Sequence, residues 1–322
     1  MITVLRRKAP VSGTISIEAL QKWTPTKVAK TVDHYRLFWK NISPEASNAK
    51  NNHQDVISTD MTILEEMLKR YPTDAPHGFI FHTGYCGSRL LSNALERLYP
   101  CLSLYQPAPI EQISFRPDIS EDQWIIWLQG LINACRQRAS KSDTPCFVTF
   151  PPSLLLKTHL IRHAFPDTPW LCLYRHPVEI MGQQFSQAQL KTRWITRDDF
   201  FELSEEARLQ IGVAEGLART LGGYYKTIET LTDESNVLCV NYNQLSGKTY
   251  KKILTHFKID AYLKLSKQAQ AIASSDPSVF EHDRKFQVDE AVVGPAALSI
   301  IREMADKWAL TAYHSLEQYT MK

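Results

Sequence analysis

Hydrophobic positions along this chain follow two patterns: short, nearly unbroken apolar runs, and longer stretches in which apolar residues recur every three or four positions. The first pattern marks strands buried on both faces, and the second marks helices packed along one side. An apolar run begins at Gly78, and others follow at 147–150, 154–157, 170–174 and 236–241. Helical spacing fills the intervals. Leu90, Leu91, Ala94, Leu95 and Leu98 form one such series, followed by 121–139, 178–189, 198–221, 244–257 and a long final stretch at 291–317. Strands alternating with helices predict a parallel sheet covered on both faces, and right-handed crossovers make it one doubly wound α/β domain. Such sheets take ligands beyond the carboxyl ends of their strands.

Ahead of Gly78 the pattern changes. Residues 32–42 and 61–71 read as helices, and 43–59, with Asn48, Asn51 and Asn52, reads as a polar surface loop. Residues 1–76 are therefore expected to form a helical extension packed on an α/β domain at 77–322.

Composition narrows the function classes. With 322 residues, 43% hydrophobic and 22% charged, the chain buries a sizeable core without a disulfide or metal staple. A net charge of +3 is too weak and dispersed for a nucleic-acid partner, but it allows a local basic pocket for a small anion. The basic start is followed by no apolar segment of a signal peptide, and no run of about 18 apolar residues exists, so no membrane span is expected. Six scattered cysteines with no C-x-x-C pair read as buried free thiols in a reducing cytoplasm. No Cys/His cluster suggests a metal, and His163 with Asp167 reads as a surface turn.

Three strand ends carry candidate chemistry. After the first strand, Thr83-Gly84-Tyr85-Cys86-Gly87-Ser88-Arg89 leads into a helix. Two glycines permit tight or left-handed backbone, and the helix N-terminus then offers N–H groups to an anion, with Ser88 and Arg89 beside them. An ordinary strand-to-helix turn remains open on these residues. The loop lacks the Walker A pattern and its lysine. At Lys157-Thr158-His159 a cation and an imidazole stand two apart, so on an extended strand they share one face; simple emergence into solvent is the alternative. At Arg175-His176-Pro177 a strand-end arginine suits a phosphate, with Gln183 and Ser186 along the following helix, while pairing of Arg175 with Glu179 is the structural alternative.

Taken together these stretches resemble the cytosolic PAPS-dependent sulfotransferases, enzymes that use 3′-phosphoadenosine 5′-phosphosulfate. That family carries a loop K-S-G-T-T-W, a strand end K-T-H-L, a turn R-x-P, a strand with Y-E-D-L and a late R-K-G. The matching stretches here are Tyr85 to Leu90, Lys157 to Leu160, Arg175 to Pro177, 236–245 around Tyr242, and Asp283 to Phe286. They occur in the same order and cover roughly 78–318. The resemblance implies an α/β fold with a P-loop-like phosphosulfate loop and a cytoplasmic enzyme acting on a small-molecule hydroxyl or amine. It gives Gly87, Ser88 and Arg89 the 5′-phosphosulfate, and gives Arg175, with Arg284 and Lys285, the 3′-phosphate. Tyr242 would border the adenine, His159 would act as general base, and Lys157 would stabilise charge at the bridging oxygen.

The departures are specific. Tyr85 replaces the family's loop lysine, Cys86 its serine, Leu90 its aromatic residue and Gln183 its helix serine. They point to a bacterial or specialised-metabolite branch, and leave a nucleotide-dependent kinase and a non-catalytic nucleotide-binding protein as rival readings. Tyr35, Phe38, Trp39, Trp194, Phe200 and Phe201 are either core or the lining of an acceptor pocket.

Overall fold

A computed structural model describes residues 16–32, 34–41, 56–137, 144–188, 212–259 and 294–319. The chain divides into two compact units. One comprises Met1–Ala75, Gln106–Thr144 and His159–Pro166, and the other Pro76–Tyr105, Pro145–Thr158 and Asp167–Lys322.

The first unit corrects the expectation of a helical extension. It contains an antiparallel sheet of β1 (Trp23–Lys30), β2 (Tyr35–Asn41) and β3 (Val56–Asp60), in that spatial order. Along β2 the residues Tyr35, Leu37 and Trp39 are buried while their neighbours are half-buried, which is a period of two rather than 3.6. Trp39 is fully buried and donates its Nε1–H to Thr59 Oγ1 across the sheet at 2.9 Å, so it belongs to the core. The Tyr35 ring packs edge-on to Trp127 at 5.5 Å, and its hydroxyl donates to Asp118 at 2.7 Å. Phe38 lies under the Lys27 ammonium at 5.8 Å. The helix Ile63–Arg70 forms where expected, and Gly130 of the helix Glu121–Arg136 lets Leu64 approach so closely that a Cβ there would lie 2.6 Å from it.

The second unit holds a five-stranded sheet: β4 (Gly78–His82), β5 (Leu102–Tyr105), β6 (Cys146–Thr149), β7 (Trp170–Tyr174) and β8 (Val237–Asn241). All pairings are parallel, and the order is β5-β6-β4-β7-β8. Side chains alternate across it. On one face Ile80, Phe147, Leu171, Leu173 and Val240 pack with Leu91 and Leu95 of the helix Ser88–Leu98 and with Ile253 and Leu254 of the helix Gly247–His256. On the other, Phe81 packs in tilted contact with Phe150 and Trp170, at centroid distances of 5.2 and 4.7 Å. The expected doubly wound α/β architecture is therefore present, with helices on both faces.

Two further differences matter for the site. β5 is a strand that the periodicity does not reveal, because only Leu104 of its four residues is buried. The run 154–157 is not a strand. It lies in a 3-10 helix, Pro152–Lys157, that continues into the helix Thr158–Ala164. Pro152 sets the helical φ at its start, and Leu154 and Leu155 are buried as a helical segment. A four-residue apolar run does not by itself distinguish these two outcomes. The final stretch is helical from Pro295 to Glu317 with a π turn at Asp306–Leu310. Among the described residues no helix is long and apolar enough to cross a membrane.

Candidate functional site

The loop after β4 sits where the strand order switches: β6 and β7 flank β4, and the chain winds away on either side of it. Gly84, Tyr85 and Gly87 have φ of 83°, 46° and 80°, so the backbone turns through the left-handed region three times before the helix begins at Ser88. Glycine makes two of these turns without strain, and Tyr85 bears the cost at the third. His82 anchors the turn. Its Nδ1 accepts the Gly84 N–H at 3.0 Å, and burial pushes its pKa down to about 3, which preserves the neutral acceptor. Cys86 points into the core, where its Sγ–H donates to the Leu173 carbonyl at 3.4 Å, and burial raises its pKa to about 11. The thiol is thus part of the packing, in line with the reading of the cysteines as buried free thiols, and only the backbone of Cys86 is left to meet a ligand in the loop.

The first helical turn carries Ser88 and Arg89. Ser88 is buried, and its Oγ lies 3.1 Å from the hydroxyl of Tyr105 at the end of β5. Arg89 is exposed and lays its guanidinium over the same ring, 4.2 Å from the centroid. No local pattern marks Tyr105, because β5 does not show in the periodicity.

Arg175 follows β7 and is only 5% exposed. Its Nε pairs with Glu179, its Nη1 lies 3.4 Å from the Tyr85 carbonyl, and its plane covers the Tyr242 ring at 4.4 Å. The local pairing left open by the sequence is therefore present, and it orients the guanidinium against the loop. Its own carbonyl accepts from the Tyr225 hydroxyl at 2.7 Å. Tyr242 is buried beside the loop, so close to Gly87 that a Cβ there would fall 2.7 Å from the ring. Gln183 is half-buried on the helix Pro177–Ala188. Behind these residues Glu317 accepts from the Tyr174 hydroxyl at 2.6 Å and the Asn241 amide at 2.8 Å, tying the ends of β7 and β8 to the last helix.

Lys157 and His159 do not stand at a strand end, which corrects that expectation. Lys157 closes the 3-10 helix, and His159 lies in the first turn of the next helix. Two residues along a helix differ by about 200° in direction, so the two side chains do not share a face. The His159 side chain is 62% exposed, with its Nε2 3.7 Å from Glu121. Arg284 and Lys285 lie outside the described residues, as do Trp194, Phe200 and Phe201. The structure therefore gathers Tyr85, Gly87, Ser88, Arg89, Arg175 and Tyr242 in one unit around one loop.

No family model and no curated protein matches the chain. Among solved structures it is similar to a sulfotransferase from Alicyclobacillus acidocaldarius, with 14% identity, 70% of this chain and 100% of that one covered, and a TM-score of 0.42. It is also similar to mouse sulfotransferase SULT7A1 complexed with PAP, with 12% identity, 91% and 99% coverage, and a TM-score of 0.40. Sulfotransferase STF1 from Mycobacterium tuberculosis shows 16% identity, 76% and 81% coverage, and a TM-score of 0.40. With TM-scores below 0.5 none of these likenesses carries the functional reading, which rests on this chain's own residues.

Proposed function

We propose that the chain is a sulfotransferase that moves a sulfuryl group from PAPS to a hydroxyl or amine of a small acceptor. In that step the acceptor oxygen or nitrogen bonds to sulfur, the sulfur–bridging oxygen bond breaks, and its electron pair stays on the phosphate of PAP. The acceptor proton passes to a base. Such a transfer asks the protein mainly to position groups and to stabilise negative charge.

The observation that carries this reading is the convergence of Gly87, Ser88, Arg89 and Arg175 on a left-handed loop and helix start at the switch point of a parallel sheet. Backbone N–H groups and two guanidiniums suit the 5′-phosphosulfate and a second phosphate. Arg175 is assigned to the 3′-phosphate, with Arg284 and Lys285 joining it by resemblance. Tyr242, already stacked on Arg175, would border the base. The resemblance also offers Lys157 for charge at the bridging oxygen and His159 as base.

Calorimetry with PAP, 5′-AMP and ADP-Mg tests the donor. PAP binding without metal, at least about tenfold tighter than AMP, is the expected result, since each charge-assisted bond is worth roughly 1.5–3 kcal/mol. Equal affinity for PAP and AMP overturns the assignment, and preference for ADP-Mg favours the kinase. Single turnover with PAPS separates an enzyme from a binding protein. His159→Ala is expected to lower the rate by about 10²–10⁴ at unchanged PAP affinity; an unchanged rate removes His159 as base and leaves the donor reading standing.

A further inference from the structure

Resting on the sulfotransferase reading, we infer that Tyr105 positions the anion-binding groups of the loop, and that Arg89, held on its ring, supplies the cation for the transferring group. Three observations lead there. The loop position occupied by Tyr85 carries no charge, and the Tyr85 phenol is held neutral because burial raises its pKa. Arg89 sits on the helix's first turn and is exposed, yet its guanidinium is not free to wander: it rests 4.2 Å over the Tyr105 centroid. The hydroxyl of that same ring meets Ser88 Oγ at 3.1 Å. One side chain thus fixes both polar side chains of the turn.

Tyr105 is well placed for this. It ends β5 at the carboxyl edge of the sheet, the edge on which the loop after β4 also emerges. A long arginine in water loses rotamer freedom when it grips an anion, and a ring that holds it beforehand removes part of that cost. A guanidinium that meets a ring through its face keeps its in-plane N–H donors for oxyanions. A mirror arrangement exists on the other side of the loop, where Tyr242, which follows β8, backs Arg175 at 4.4 Å. Two ring-backed guanidiniums flanking one loop suit a ligand with two separated anionic groups.

The test is a double-mutant cycle read by calorimetry, using PAP and, independently, inorganic pyrophosphate, with melting curves for every variant. Tyr105→Phe keeps the ring and is expected to hold both affinities within about threefold. Tyr105→Leu removes the stack and is expected to weaken both by about fivefold to thirtyfold. In an Arg89→Ala background, Tyr105→Leu is expected to cost no more than the roughly threefold allowed for Tyr105→Phe, because only the Ser88 contact is then left to lose and the ring itself acts through that arginine. A merely structural tyrosine would cost the same in both backgrounds, and that result overturns the inference. So does Tyr105→Phe behaving like Tyr105→Leu. If pyrophosphate binds with this dependence and PAP does not bind, the inference stands and the PAPS reading falls. PAP binding that ignores Tyr105 and Arg89 does the reverse, and binding of neither probe overturns both.

Discussion

At the scale of single residues, the two loop glycines separate strain from crowding. Gly84 and Gly87 both hold positive φ, but a Cβ at Gly84 meets its nearest atom at 3.6 Å, whereas one at Gly87 runs into the Tyr242 ring at 2.7 Å. Gly84→Ala is expected to cost about 1–2 kcal/mol of stability from backbone strain alone. Gly87→Ala should cost more and should also weaken PAP binding by at least about tenfold, because the ring that backs Arg175 must move. Urea melts and calorimetry on the two variants check this, and equal effects would count against it. Arg175 is a second case. The sequence suggests that Arg175→Ala weakens ligand binding and spares the fold. The structure predicts both losses, because the Glu179 carboxylate, the Tyr85 carbonyl and the Tyr242 face all lose a partner. About 2–4 kcal/mol of stability should go with it, while Glu179→Gln, which keeps an acceptor oxygen, should cost less than about 1.5 kcal/mol. Thermal melts without ligand are the measurement.

At the scale of elements, the end of β4 makes stability depend on pH. His82 titrates near 6.5 in the unfolded chain and at about 3 in the fold, so the unfolded state binds the extra proton. Its contribution is fully present above pH 6.5 and is lost as pH falls from there toward 3. The slope from this one group is about 1.4 kcal/mol per pH unit. Urea melts at pH 7.5, 5.5 and 4.5 should show that slope in the wild type and a shallower one in His82→Gln; parallel lines would exclude the linkage. The elements also show what periodicity reveals. β4, β6 and β7 are buried on both faces, and their apolar runs are unmistakable. β5 leaves no such run because its residues, Leu104 apart, are half-buried. The stretch 154–157 has the apolar run of a strand but follows Pro152 into a 3-10 helix, and on that backbone Lys157 and His159 no longer share a face. β2 does not look like a strand in the sequence because Phe38 on its other side masks an alternation that Tyr35, Leu37 and Trp39 otherwise display.

At the scale of the whole molecule, the compact units are discontinuous in sequence, and Gln106–Thr144 and His159–Pro166 join the N-terminal strands rather than the parallel sheet. Burial is nevertheless thorough in both. All six cysteines are free thiols; five are buried, and Cys101, half-buried, has its pKa raised to about 12 by burial and by Glu96. A thiol reagent at pH 8 should therefore modify the native protein slowly, with six thiols reacting at once only after unfolding. Rapid reaction of two or more in the native state would contradict this packing. The sequence by itself determined where β4, β6 and β7 lie along the chain, the glycine-bearing loop after β4 and the arginine after β7, because each is written in contiguous residues whose periodicity or backbone demands are local. Only the tertiary structure decided which side chains meet. The order β5-β6-β4-β7-β8 gives the loop Tyr105 from one edge strand and Tyr242 from beyond the other. Strand order is a non-local choice, made when buried faces find their partners, and no local pattern encodes it.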